Sequence, residues 1–133
     1  MRKLLILITF VSSLILLPTT SSYADWTKVA ENVTGDSYYI DFERVRKHKG
    51  LVYYWQLANY LKPTQDGTFS AKSYKEADCV RFRHKYLNIS FHPKPMGEGT
   101  ASETFNPPDA EWRYPSPNSS AEAILKAVCN HKP

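Results

Sequence analysis

The chain has 133 residues and a formal net charge of +4; 42% of its residues are hydrophobic and 14% are aromatic. This length allows a single domain of common size, about 100–150 residues, and it excludes a multidomain enzyme. The composition excludes a disordered, collagen-like or coiled-coil protein. We therefore expect one small domain with a packed core.

Residues 1–24 have the pattern of a cleavable signal peptide. A basic start at residues 1–3 precedes an apolar run from 4 to 17, and small residues follow that fit a signal-peptidase site. This pattern predicts cleavage between Ala24 and Asp25. A membrane-spanning helix is the alternative, but it needs about 20 apolar residues, and this run is shorter.

The sequence from 25 to 133 is therefore expected to form the mature domain, exported through the inner membrane to the periplasm, the cell surface or the medium. Loss of the leader removes two basic residues and lowers the net charge to +2. No cysteine near the cleavage point could take a lipid, and no later segment is apolar enough to span a bilayer. We expect no membrane anchor after signal cleavage.

The chain has two cysteines, Cys79 and Cys129. An even number of cysteines in an exported protein favours a disulfide, because the compartment is oxidising. Such a bond would close a loop of about 50 residues, which the chain-entropy account values at about 4 kcal/mol. A metal pair or a catalytic thiol are the alternatives, but two distant cysteines supply at most half a zinc site.

The mature sequence predicts mostly strands. Patterns of β-branched and aromatic residues predict strands at 25–32, 37–42, 51–61, 68–76 and 77–92, with a helical turn at 43–49 and an edge strand at 111–114. Both faces of 51–61 are apolar or aromatic, which indicates a central strand with cover on both sides. The face of 77–92 changes from basic to apolar near Tyr86, and a β-bulge or a covered sheet edge would explain the change.

The C-terminal third combines a loop and a helix. Six prolines fall within 93–117, which predicts a long loop tethered by Phe105 and Trp112. After it, Ser119 and Glu122 fit a capping box. Apolar residues then follow helical spacing in one stripe, which consists of Ala121, Ile124, Leu125, Val128 and Cys129. Since Cys129 lies on this stripe, it would face the sheet and meet Cys79.

The sequence gives little support for catalysis or metal binding. None of the four histidines lies three or four residues from another, so we expect no metal and no cofactor. The carboxylate pairs Asp41/Glu43 and Glu76/Asp78 could do acid–base work on a strand face, but acidic residues beside turns are more often solvated. No nucleophile or phosphate-loop motif occurs. A small hydrolase with Asp41, Glu43 or His84 in a cleft is the enzymatic alternative.

Two groups of basic residues form a candidate binding face. Arg44 and Arg46 belong to a charged block, and Arg81, Arg83 and Lys85 alternate along a predicted strand. With exposed tyrosines they would attract an acidic protein surface or an acidic glycan. Nucleic acid would be held by the same forces, but an exported protein of net charge +2 rarely meets it, so we expect none. A solvated strand face that guards a sheet edge is the structural alternative.

Short motifs occur in a characteristic order at 37–41, 44–55, 70–74, 78–79 and 96–99, followed by Trp112 and a final helix with Cys129. In this order they resemble the bacterial surface-adhesin protein E family. The resemblance implies an α+β fold: a single antiparallel sheet of about six strands, curved around one C-terminal helix that a disulfide ties to it.

The resemblance also implies a function. It favours an exported, non-enzymatic binding module for host matrix or serum proteins, which forms a homodimer, and the basic residues add acidic glycans as partners. The family's named member is displayed as a lipoprotein, whereas this chain has no lipid-accepting cysteine. Its ligand-binding segments do not match positions in this chain, so no binding residue is transferred from it. The alternative is a periplasmic accessory or envelope protein without a host partner.

Overall fold

A computed structural model describes residues 24–132, so all of the predicted signal peptide except Ala24 lies outside the described residues. Within this range, seven strands form one antiparallel sheet and one α-helix follows them. The elements are β1 (Trp26–Glu31), β2 (Ser37–Asp41), β3 (Arg46–His48), β4 (Leu51–Asn59), β5 (Ser70–Asp78), β6 (Arg83–His92), β7 (Glu103–Phe105) and α1 (Ser120–Asn130). The predicted α+β fold is confirmed, with seven strands instead of six.

The strand order is β1-β2-β4-β5-β6-β7, and β3 pairs with β4 beside β2. One edge of β4 contacts β3 and β2 in succession, and its other edge pairs with β5 over eight residues. β4 is therefore central, as its two apolar faces predict. The predicted bulge near Tyr86 is also confirmed, because Tyr74 pairs with Asn88 while Lys75 pairs with Tyr86, which leaves Leu87 as the extra residue.

The hydrophobic core lies between α1 and one face of the sheet. From the helix it takes the buried part of the predicted stripe, Ile124, Leu125 and Val128, and from the sheet it takes Ile40, Val45, Val52, Tyr54 and Ala77. Each fully buried aliphatic side chain contributes about 1.5–3 kcal/mol. The helix therefore covers one side of the sheet, which we call the helix side. We call the opposite side, which the helix leaves uncovered, the open face.

Cys79 and Cys129 form the predicted disulfide, with their Cα atoms 5.7 Å apart. Cys79 directly follows β5, and Cys129 lies in the last turn of α1. The bond thus fixes the C-terminal end of the helix to one end of the sheet.

The prediction of one continuous strand at 77–92 is wrong. β5 ends at Asp78, a turn occupies 79–82, and β6 begins at Arg83. The side chain of Asp78 accepts a hydrogen bond from the Arg81 backbone N–H at 3.1 Å, and Phe82 takes a positive φ of 51°. Together they reverse the chain, so the single predicted strand is the end of β5, a turn and β6.

The predicted helical turn at 43–49 is only partly correct. A 3-10 turn covers Phe42–Arg44, but Arg46–His48 form β3, which pairs with the start of β4. Lys49 and Gly50 both take positive φ and connect the two strands, as a tight hairpin with type I′ geometry requires. Because β3 is exposed along its length, its charged residues are compatible with a strand.

The proline-rich segment, predicted to be a loop, takes part in strand pairing. β7 lies within it and pairs with β6, whereas the predicted edge strand at 111–114 reduces to a bridge between Arg113 and His84.

One of the two hydrogen bonds predicted for the capping box of α1 is present. Ser119 Oγ accepts from the Glu122 N–H at 3.1 Å. The backbone N–H of Ser119 donates to Ser116 and not to the Glu122 side chain.

Candidate binding face and cleft

Strand register places one row of side chains across four strands of the open face. Arg46 of β3 lies opposite Tyr53 of β4, Tyr53 opposite Glu76 of β5, and Glu76 opposite Lys85 of β6. Directly opposed residues of paired strands point to the same side of a sheet. This row therefore combines two cations, an aromatic ring and a carboxylate on the side that α1 leaves uncovered.

All five basic residues predicted to bind a partner lie on this face or at its rim. The Arg44 guanidinium lies over the ring of Trp55, 5.3 Å from its centroid. Arg83 is opposite Asp78 in the β5–β6 pair, two residues along from Glu76. Arg81 extends from the turn toward Asp78 and is 66% exposed. The structure thus brings both basic groups together.

Carboxylates within the chain offset part of this positive charge. Lys85 pairs with Glu76 at 2.7 Å, Arg83 with Asp78 at 3.0 Å, and Arg44 with Asp41 at 2.6 Å. These three ion pairs fix their cations. Within residues 24–132, Arg46 forms no salt bridge, so of the five predicted basic residues it is the one most available to a partner.

Asp78 holds two of these arginines at the rim of the open face. Arg81, like Arg83, forms an ion pair with the Asp78 carboxylate, at 3.3 Å. The backbone N–H of Arg81, then the side chains of Arg83 and Arg81, lower the pKa of Asp78. The five cations therefore face three carboxylates, which leaves an excess of positive charge.

Aromatic rings separate the charged groups. Tyr74 lies 5.1 Å from Trp55 and 6.2 Å from Tyr53, measured between ring centroids. Trp112 belongs to the proline-rich segment. Its ring centroid lies 4.4 Å from Arg83 Cζ and 4.6 Å from Lys85 Nζ. The predicted tether through Trp112 is thus confirmed, and it extends the open face beyond the strands.

A cleft of about 990 Å³ lies at the β1–β2 end of the open face. It is lined by Ala24, Trp26, Asp41, Glu43, Arg44, Lys72, Lys94 and residues 96–99. Asp41 is 2% exposed, and its Oδ1 atom has no hydrogen-bond partner within the described range. Its other oxygen, Oδ2, accepts from Arg44. The cleft thus has a buried acceptor that the described residues leave unsatisfied.

The wall formed by 94–99 is fixed to the sheet by hydrogen bonds. Ser70 Oγ donates to the Lys94 carbonyl at 2.6 Å and accepts from the Gly97 N–H at 2.8 Å. The Met96 N–H donates to Asn59 Oδ1 at 2.7 Å. Gly97 has a φ of +66°, and a Cβ there would lie 2.9 Å from Lys72 Cδ. Glycine therefore lets the wall lie directly against Lys72.

A family model described as surface-adhesin protein E matches residues 26–130, nearly all of the described chain. The chain belongs to the surface-adhesin protein E family. No curated protein matches it. Solved structures of Haemophilus influenzae protein E match its fold, and their low sequence identity makes this a likeness of fold alone.

Three of these structures show how closely the folds agree. Crystal form II of Haemophilus influenzae protein E is 19% identical, covers 86% of this chain and 94% of that chain, and gives a TM-score of 0.59. A second structure of the same protein, also 19% identical, covers 86% and 90% with a TM-score of 0.57. Protein E from non-typeable Haemophilus influenzae, 18% identical, covers 86% and 81% with a TM-score of 0.54.

In this member of the protein E family, the carboxylates considered for catalysis are divided. Asp41 and Glu43 share the cleft, whereas Glu76 and Asp78 are engaged by basic residues of β6. His84 lies opposite Ala77 on the helix side, so it does not meet either pair. Residues 24–132 contain no group of three His, Cys, Asp or Glu side chains placed to hold a metal. In the same range, no helix is long and apolar enough to cross a membrane.

Sequence reasoning missed a buried polar cluster on the helix side of this family member. Lys75 is 3% exposed, and its Nζ lies 4.4 Å from the Tyr86 ring centroid and 5.7 Å from that of Tyr54. Tyr54 Oη and His84 Nδ1 are buried without a hydrogen-bond partner among the described residues. The only signal for this cluster in the sequence is the alternation of side chains along the strand, which places Lys75 on the same face as Ala77.

Proposed function

We propose that this protein is an exported, non-enzymatic binding module that presents its open face to acidic regions of host matrix or serum proteins, or to their acidic glycans. The observation that carries the proposal is the row from Arg46 to Lys85, which joins both basic groups on the side that α1 leaves uncovered. Membership in a family of surface adhesins supports it.

The chemistry of the open face suits protein or glycan recognition. Arginine and aromatic residues are enriched where binding energy concentrates. Trp55 and Tyr74 contact each other, and Arg44 is already placed over Trp55. Such preorganisation lowers the entropy that binding costs. The excess of positive charge would steer an acidic partner toward this face.

Binding measurements with charge-reversed variants test this proposal. The double variant Arg46→Glu/Arg81→Glu changes two exposed cations and keeps the backbone hydrogen bond of Arg81. Its matched control is Lys47→Glu/Lys62→Glu. Lys47 is the next residue of β3 and points to the opposite side of the sheet, and Lys62 is exposed in the bend that follows β4.

Both double variants and the unaltered protein are titrated onto immobilised heparin and a panel of matrix and serum proteins at low and high salt. We expect salt-sensitive binding that Arg46→Glu/Arg81→Glu weakens at least ten-fold and the control preserves. Binding that salt and both variants leave unchanged would contradict an electrostatic open face.

Cellular location forms the second part of the proposal. Cleavage between Ala24 and Asp25 would free an irregular segment just ahead of β1, with Asp25 exposed. Edman sequencing of the exported protein is expected to begin at Asp25. Fractionation is expected to find the protein on the cell surface or in the medium.

The ion pairs of Glu76 and Asp78 favour one alternative, a periplasmic accessory protein whose charged strands are simply solvated. In that case the protein would be confined to the periplasm and none of the panel would bind. Fractionation and the binding panel therefore separate the two functions.

We extend the proposal to a homodimer. The outer strands of the described sheet are β1 and β7, and β1 is the longer, with six residues. Pairing of two β1 edges would leave the open face of each copy accessible. Sedimentation equilibrium is expected to give twice the monomer mass, and a monomer at all concentrations would contradict this part.

A further inference from the structure

The cleft at the β1–β2 end of the open face has a chemical character different from the rest of that face. Trp26 and Asp41 are opposite each other in the β1–β2 pair and line one side. Lys72 and Lys94 line the side formed by β5 and the segment 94–99. The aromatic ring, the carboxylate and the lysines therefore surround one space.

We propose that this cleft binds an acidic sugar unit of a saccharide chain, with Trp26 and Asp41 on one side of the sugar and Lys72 and Lys94 on the other. The inference deepens the proposed function and rests on it, since it takes the partner of an exported binding module to carry acidic glycan. The cleft is at the upper end of the volumes of small-molecule sites, about 300–1,000 Å³.

The carboxylate side explains why the ligand would be a sugar. A sugar ring presents C–H groups that pack on an aromatic ring and hydroxyl groups that donate to carboxylates. Trp26 supplies the ring, and Asp41 supplies an Oδ1 that has no donor within residues 24–132. Because Oδ1 is buried, a ligand hydroxyl reaches it when the Asp41 carboxylate turns toward the cleft, and the new hydrogen bond then satisfies this acceptor. Glu43, which is exposed at the same side, adds a second acceptor.

The lysine side explains why the sugar would be acidic. A carboxylate or sulfate on the sugar would face the ammonium groups of Lys72 and Lys94, while the hydroxyls face Asp41. Glu98 also lines this side, but it and Lys94 are both exposed and offset each other, so the half-buried Lys72 supplies the net positive charge of this side. A neutral sugar would leave Lys72 without an anionic partner.

Contacts within the chain hold the wall of the cleft in place. The hydrogen bonds of Ser70 to the backbone of Lys94 and Gly97 fix it, and the close approach of Gly97 fixes the stem of Lys72. A ligand would therefore meet a site that needs little ordering. Gly97→Ala is expected to displace Lys72, because the new Cβ would lie 2.9 Å from Lys72 Cδ.

The test is an NMR titration of the purified exported protein with a hyaluronan tetrasaccharide, which carries glucuronic acid, and with neutral chitotetraose as the matched saccharide. We expect the acidic tetrasaccharide to shift the Trp26 indole N–H and the backbone amides of 94–99, and to bind at least ten-fold more tightly than chitotetraose. Equal affinity for the two, or no shift in the cleft, would overturn the inference.

Variants separate the cleft from the rest of the open face. Lys72→Met and, as a second and more exposed position, Lys94→Met are each expected to weaken tetrasaccharide binding about ten-fold, whereas Lys62→Met is the control and leaves it unchanged. Wild-type affinity in both cleft variants would contradict the proposal. If the tetrasaccharide causes no shifts in the cleft while the protein panel still binds in a salt-sensitive way, the cleft proposal alone is refuted. Cleft shifts with no binding to the panel would refute open-face recognition of matrix and serum proteins and leave the cleft.

Discussion

Lys75 Nζ donates a hydrogen bond to Gln56 Oε1 at 3.0 Å, between neighbouring strands on the helix side of the sheet. The amine is almost completely buried, next to the ring of Tyr86. Burial first, and the positive charge of Arg113 second, lower the pKa of Lys75 to about 7. A lysine in an unfolded chain has a pKa near 10.4, so folding and protonation are linked at this residue.

This linkage predicts that stability rises with pH above neutrality. Between pH 7 and about 10.4, the unfolded chain holds a proton on Lys75 that the folded protein releases, so Lys75 makes folding more favourable as the pH increases. Urea unfolding at pH 7, 8 and 9 measures the slope, below the range in which tyrosines ionise. Lys75→Met is expected to remove this contribution to the slope, and an identical slope in both proteins would show that the amine is not buried as described.

His84 is a second residue whose protonation is linked to folding, and it acts in the acidic pH range. Burial first, then the charges of Lys75 and Arg113, lower the pKa of His84 to about 4. The unfolded value is about 6.5, so the stability contributed by the neutral ring is complete above pH 6.5 and is lost as the pH falls toward 4. The imidazole proton resonances of His84 in a pH series are expected to titrate near 4. A midpoint near 6.5 would contradict the burial of this ring.

The disulfide should account for a large share of the stability. The Cys79–Cys129 bond spans 50 residues, and the chain-entropy account values such a loop at about 4 kcal/mol. Cys79→Ala/Cys129→Ala is expected to lower the free energy of unfolding by roughly this amount in a urea titration. Ellman titration of the unfolded, unreduced protein is expected to find no thiol, and two free thiols would refute the bond.

A fourth prediction concerns the contact between the helix and the sheet. Leu125 is completely buried in the core, and its replacement by alanine is expected to cost about 2–5 kcal/mol through lost burial and the cavity left behind. The neighbouring Lys126→Ala, at an exposed position, is the control and is expected to cost less than about 0.5 kcal/mol. Equal effects in a denaturant titration would mean that α1 does not pack through this residue.

The elements predicted best were those whose signal is local. The helical stripe around Leu125 and Val128 and the two apolar faces of β4 each follow a period set by backbone geometry. The bulge at Leu87 was also visible, because an inserted residue changes the face of every residue after it. Local periodicity therefore gave the secondary structure of the core and the central strand.

The elements predicted wrongly lacked an ordinary turn signal or had one that was overlooked. The turn at 79–82 contains no glycine or proline, and Phe82 takes a positive φ that bulky residues rarely adopt. Only Asp78, whose side chain caps the turn, indicated it. β3 escapes prediction because its residues are all polar, although Lys49 and Gly50 offer a hairpin signal.

The candidate site could be predicted as a set of residues but not as a surface. Arg46 and Lys85 are far apart in sequence, and they share a row only because of the registers among four strands. The cleft depends on contacts from Ser70 and Asn59 to the segment 94–99. Such long-range contacts leave no periodic pattern in the sequence.

The most direct test of the central claim is to find which side of the sheet a bound partner covers. The protein is labelled with ¹⁵N, and NMR spectra are compared with and without a ligand of the binding panel at a salt concentration that permits binding. We expect shifts or broadening of the indole N–H signals of Trp55 and Trp112 on the open face, while the amides of α1 keep their positions. Changes confined to α1, with both indole signals unaltered, would contradict the account.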